Sequence, residues 1–199
     1  MHLYRVCRYA YNASIICAKV RKILDGDGID AAAARDLIAA ADRLERDRPE
    51  PLVPTSHEQL LRNFRVLSTR TFYCSFRMKL NLRLLELFDK IYALDPDHDA
   101  EWMQAQYEQY ITTVRDLADE ILADVPFVFR TGDLSGKSNS DRPRYWTDGL
   151  RLLWPLRLVA FWRATREDQK KAAGLTLWRI REELGIQQAT VAFVPRPFS

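Results

Sequence analysis

The chain has 199 residues, of which 47% are hydrophobic and 29% charged, the balance of a folded protein able to build one substantial core rather than of a disordered tail. Its 30 basic and 27 acidic residues leave a net charge of +3 and are interspersed without a block of one sign, which argues against nucleic acid as a partner. Three cysteines, Cys7, Cys17 and Cys74, make no CxxC pair, and no apolar run reaches the roughly 18 residues of a membrane span, so a soluble intracellular protein, cytoplasmic or nuclear, is expected.

Glycine is scarce, with seven, and no segment alternates apolar and polar residues as a half-buried strand does, so the fold class expected is all-α, a single irregular domain of about six to eight helices over residues 1–199. The first helix is expected from Leu3 to Leu24, with Leu3, Val6, Cys7, Ala10, Ala13, Cys17, Val20 and Leu24 on its inner face, until Asp25-Gly26-Asp27-Gly28 stops it. Polar Asn12, Ser14, Lys19 and Arg21 break up this stretch too often for a signal peptide, so the Asn12 to Ser14 glycosylation triplet is expected to stay unused. Asp30 can cap a second helix through Arg46, buried along Leu37, Ile38, Ala41 and Leu44.

A proline-rich connector closes the N-terminal part, residues 1–54, and Thr55-Ser56-His57-Glu58 reads as a capping box that opens the rest, residues 55–199. A long helical pattern runs from Leu60 to Leu94, with a break expected near Ser68 to Thr71. Its arginines and lysine (Arg62, Arg65, Arg70, Arg77, Lys79, Arg83) read as a solvated face. The next helix starts at the turn Asp95 to Asp99, carries Trp102, Tyr107, Tyr110, Val114, Leu117 and Ile121 inward, and is expected to end near Asp124, before Pro126. A polar loop at 132–144, an apolar helix from Tyr145 to Trp162 interrupted by Pro155, a capping box at Thr165 and Asp168, and a last helix closed by Gly185 complete the chain.

Few motifs carry chemistry. Gly132 to Ser138 superficially resembles a phosphate-binding P-loop, but the spacing is one residue short and Asn139 to Pro143 cannot open the helix such a loop needs. The aspartates at 25 and 27, and those at 95, 97 and 99 beside His98, fit no metal-ligand spacing and read as turn and capping residues. With only His2, His57 and His98, hydrolytic triad chemistry is not expected, and neither a metal nor a cofactor is implied.

The most informative segment is Tyr145 to Trp162, nearly all apolar yet carrying Asp148, Arg151 and Arg157. Burying an unpaired charge costs several kcal/mol, so these groups need partners or a polar cavity. A core helix with rim arginines is one reading. The other is a pocket wall for an apolar or aromatic small molecule, with Asp148 and Arg151 as catalytic candidates and Tyr145, Trp146, Trp154, Arg157 and Trp162 lining the ligand.

Three stretches carry a resemblance: Leu117 to Phe127 with its Val125-Pro126 step, Gly149-Leu150-Arg151-Leu152-Leu153-Trp154-Pro155-Leu156, and Trp178 to Ala189. In this order they resemble the C-terminal part of the fungal-specific domain of zinc-cluster transcription factors. The match covers residues 115 to 190, and Asn63 to Leu67 extends it weakly to 60. The family's binuclear zinc cluster needs six closely spaced cysteines, which this chain lacks, so the resemblance implies a regulatory half, or a stand-alone descendant, without a DNA reader.

Three functions compete. The first is a ligand-binding or regulatory module similar to that effector domain; the second is a small cofactor-independent cyclase or isomerase of fungal secondary metabolism, encoded in a biosynthetic cluster. The third is a structural partner that forms a homodimer through an exposed face of the first helix.

Overall fold

Apolar residues at spacings of three and four, with almost no glycine between them, leave helices as the only regular structure the described residues adopt. In a computed structural model described over residues 2–26, 28, 30–50, 64–94, 100–129 and 146–190, six α-helices form and no strand is present among those residues. They are α1 (His2–Leu24), α2 (Ala31–Arg46), α3 (Phe64–Leu94), α4 (Ala100–Phe129), α5 (Trp146–Phe161) and α6 (Glu167–Leu184), followed by a 3-10 turn at Gln187–Ala189. The side chains of residues 2, 64–66, 100, 127–129 and 146–148 lie outside the description, as do the expected capping box at 55–58, the turn at 95–99 and the loop at 132–144.

Two compact units emerge, and the division falls inside α3 and α4. The first comprises the described residues of Met1–Glu50 and Phe76–Leu117, the second those of Pro51–Ser75 and Ala118–Pro195.

In the first unit, α1 buries Val6, Tyr9, Ala10, Ala13, Ile16, Cys17 and Val20. This arc takes in Tyr9 and Ile16 where the sequence pattern suggested Leu3 and Cys7, which are exposed; a helical period of 3.6 places the latter pair well off its centre. Asp30 caps α2 as expected, its carboxylate accepting from the Ala32 and Ala33 amides at 3.0 and 3.1 Å. Phe88 packs against Tyr110, ring centroids 5.6 Å apart, and against Trp102 at 6.0 Å, yet Trp102 remains half-exposed rather than buried.

Polar ties complete this unit. Glu45 of α2 accepts from the Tyr9 hydroxyl and from Arg77 Nε, the latter at 2.7 Å, and the Tyr110 hydroxyl donates to Asp42 at 3.0 Å. Lys90 Nζ donates to the carbonyls of Ile23, Leu24 and Gly26 at 3.0, 2.9 and 2.6 Å, placing a cation on the oxygens that the end of α1 leaves without intrahelical partners.

In the second unit, α5 lies close against α6. A Cβ at the buried Gly149 would overlap Leu184 Cδ1 and press on Ile186 Cδ1 and Ile180 Cγ2 at 3.1 and 3.3 Å, so glycine lets the helices approach without displacing these side chains. Gly185, at φ 69°, ends α6 in the left-handed region as expected. The capping arrangement ahead of α6 differs from the expected one. Gln169 Oε1 accepts from the Arg166 amide at 3.0 Å, while the Thr165 hydroxyl turns back to the Val159 and Trp162 carbonyls at 2.8 and 2.7 Å, serving the end of α5.

The helix interruptions expected at 68–71, Pro126 and Pro155 are absent, α5 running unbroken through Pro155. At 68–71 α3 is continuous, because the Thr71 and Ser75 hydroxyls bond back to the Leu67 and Thr71 carbonyls within the helix instead of competing with it. α4 continues through Pro126 to Phe129; the exposed ring withdraws one amide and leaves the helix to run one more turn. Nor do the described arginines of α3 make a solvated face: Arg70, Arg77 and Arg83 are half-buried, each against carboxylates, while Arg62 and the Arg65 side chain lie outside the described residues.

Candidate functional site

The segment that the sequence singles out lies on one side of α5. Leu152, Leu156 and Val159 are buried, while Arg151, Trp154 and Phe161 are exposed. Arg157 and Trp162 are half-buried, and Arg157 Nη2 donates to the Gln188 carbonyl beyond α6. Tyr145 lies outside the described residues, as do the side chains of Trp146 and Asp148. The helix therefore presents a one-sided apolar face rather than an all-round buried surface. Pro155 sits inside it, withdrawing the amide that would bond the Arg151 carbonyl.

A concave site exists elsewhere, in the first unit, as a groove of about 600 Å³ between α1 and α2. Helical geometry builds it from both sides. Arg5, Arg8, Tyr9, Asn12, Ile15 and Ile16 recur along one flank of α1 at spacings of three and four; Ala40, Arg43, Leu44 and Asp47 do the same on α2, with Pro49 just beyond. Buried Tyr9 and Ile16 supply an apolar wall, and the Tyr9 ring is held in place by its bond to Glu45, itself fixed by Arg77.

Among its described lining residues the electrostatics are one-sided: three guanidinium groups against one carboxylate, Asp47. Among the described residues the guanidinium groups of Arg5, Arg8 and Arg43 enter no ion pair or hydrogen bond, in contrast to those of Arg70, Arg77 and Arg83 on α3, which are matched to Glu45, Glu86, Glu120 and Asp124. Unmatched guanidinium groups beside apolar side chains suit an anionic group attached to an apolar body, because the fork of donors can take a carboxylate or phosphate while Ile15, Ile16 and Leu44 cover the rest.

A second cluster lies in the second unit. Asp124 of α4 is fully buried; its Oδ2 accepts from the Thr71 hydroxyl at 2.9 Å, and its Oδ1 faces Arg70 Nη1 at 3.4 Å. Arg70 also approaches Glu120 at 3.7 Å, and the Cys74 thiol donates to Glu120 at 3.3 Å. Burial pushes the Asp124 carboxyl up to about 6, against the opposing pull of Arg70 and the Thr71 bond. Burial, then Glu120, pushes the Cys74 thiol far above the ordinary thiol range, so it is an inert thiol rather than a nucleophile. The carboxyl can exchange a proton near neutrality, but a group with no accessible surface does not reach a substrate, and its role is internal electrostatics.

Sequence reasoning passed over both places. The groove could have been found from the α1 pattern, in which Arg5, Arg8 and Asn12 share a flank with no acidic residue anywhere on the helix. The Asp124 cluster had no such signal, since Arg70 and Asp124 are brought together only by the packing of α3 on α4. Among the described residues no group of three His, Cys, Asp or Glu can hold a metal ion, and no helix is long and apolar enough to cross a membrane. No protein family, curated protein or solved structure matches this chain.

Proposed function

We propose that the protein is a helical binding module that acts by holding an anionic ligand with an apolar portion in the groove between α1 and α2. The observation that carries this reading is the trio Arg5, Arg8 and Arg43 around a concave site with no ion-pair partners among the described residues. Guanidinium groups left without carboxylates cost solubility nothing, but concentrated on one groove they create a local positive potential that draws anions. Binding rather than catalysis is favoured because the described lining residues include no histidine, cysteine or glutamate, and the carboxylate among them, Asp47, is exposed.

A regulatory role of the kind implied by the resemblance over residues 115–190 suits a chain that binds without transforming its ligand. The cyclase or isomerase alternative has weaker support, since Arg151 and Trp154 are exposed and line no part of the groove between α1 and α2. The test is a titration of the full chain with decanoate, a carboxylate on an apolar chain, followed by decanol. Methyl resonances of Ile15, Ile16 and Leu44 are expected to shift saturably with decanoate and far less with decanol. Shifts confined to other methyls, or equal responses to both probes, would defeat the assignment.

A further inference from the structure

We infer that the outer face of α1 docks an acidic amphipathic segment of a partner protein, one of whose side chains enters the groove. The inference deepens the reading of the groove as an anion site and rests on it. Its own basis is the surface beside that groove. Tyr4, Tyr11 and Ile15, at positions i, i+7 and i+11, form one stripe that is 70%, 67% and 38% exposed, and Leu3 flanks it at 60%. Single exposed apolar residues are ordinary; a run of them along one helix face marks an interaction surface.

Charge selects the occupant. α1 has no acidic residue among its 23, whereas Arg5, Arg8, Lys19 and Lys22 border the stripe and the groove. Only one further basic residue of the helix, Arg21, is matched, by Asp25 at 3.4 Å. A second copy pairing through the same face would set these cations against one another, which costs affinity rather than adding it. A flat lipid surface cannot follow the concavity between α1 and α2, whereas a side chain projecting from a docked segment can enter it. A helix with apolar anchors on one side and carboxylates on its flanks satisfies the stripe, the arginines and the groove together.

The experiment uses the full chain and, as probe, a labelled helical peptide of about 18 residues with leucines at i, i+3, i+4 and i+7 and glutamates between. A scrambled peptide of the same composition and phosphatidylserine vesicles serve as the comparisons. Saturable peptide binding that weakens with salt, prefers the ordered peptide, and falls at least about tenfold in a Tyr4→Ser/Tyr11→Ser variant is expected. That variant changes exposed residues outside the groove, so its helix content and its decanoate binding are expected to match the parent. Arg8→Gln is expected to weaken both probes. Decanoate binding without peptide binding would overturn the docking face and leave the groove standing, as would indifference to the tyrosine changes. Equal binding of the scrambled peptide, or capture of vesicles in place of the peptide, would also overturn it. Failure of both probes would remove the groove itself.

Discussion

Asp124 shows how a single buried group couples folding to pH. Its carboxyl is held near 6 in the folded chain against an ordinary value of 3.8, so the folded state binds the proton more tightly than the unfolded one. The stability it contributes is therefore fully present below the unfolded value and lost as pH rises through about 6. The difference between the two values corresponds to on the order of 3 kcal/mol. Urea denaturation between about pH 4 and about pH 7.5 is expected to show a loss of stability in the parent that Asp124→Asn largely abolishes. Parallel losses in the two proteins would mean that Asp124 does not titrate in that window. Lys90 is a second informative residue, since one ammonium group serves three carbonyls at the end of α1. Lys90→Met is expected to cost about 1–2 kcal/mol and to speed amide exchange in the last turn of α1 more than elsewhere; unchanged exchange there would contradict the capping role.

At the scale of elements, the α5 and α6 pair depends on one missing side chain. Gly149→Val puts branched carbons against Ile180 and Ile186 and is expected to destabilise by roughly 2–3 kcal/mol, read as a lowered thermal midpoint. Gly149→Ala is expected to cost less, because Leu184 can turn its terminal methyl aside and alanine favours the helix. An unchanged midpoint for Gly149→Val would mean that the helices do not approach as closely as described. Element identity was largely legible beforehand: the α1 and α2 patterns, the Asp30 cap and the Gly185 stop are local signals, set by residues within a turn of each other. The errors came where a local rule met a compensating contact. Pro126 and the Ser68 to Thr71 stretch read as interruptions, yet helices persist through both: hydroxyls bond back within α3, and Pro126 sits so near the end of α4 that its missing amide touches only the last turn.

For the molecule as a whole, function was less legible than fold, and the cause is physical. Trp154 and Arg151 stand out because an apolar helix with charges implies a special environment, and in the structure one face of α5 buries Leu152, Leu156 and Leu158 while these two residues are exposed. Arg70, Arg77 and Arg83 of α3 read as part of a solvated face and are paired, whereas Arg5, Arg8 and Arg43 are unremarkable in sequence and have no carboxylate partner among the described residues. Arg70 and Arg77 are neutralised by Asp124 and Glu45, partners distant in sequence, so this part of the charge pattern emerges only on folding. Arg8→Gln alone is expected to weaken decanoate by about fivefold, the worth of roughly 1 kcal/mol for one partly screened charge pair.

The most direct test of the groove is calorimetric titration of decanoate into the full chain and into an Arg5→Gln/Arg8→Gln/Arg43→Gln variant at low and moderate salt. The parent is expected to bind at a single site whose affinity falls with salt, and the triple variant to bind on the order of a hundredfold more weakly with little salt dependence. Equal affinity in the two proteins, with the variant still folded, would contradict the groove as the binding site.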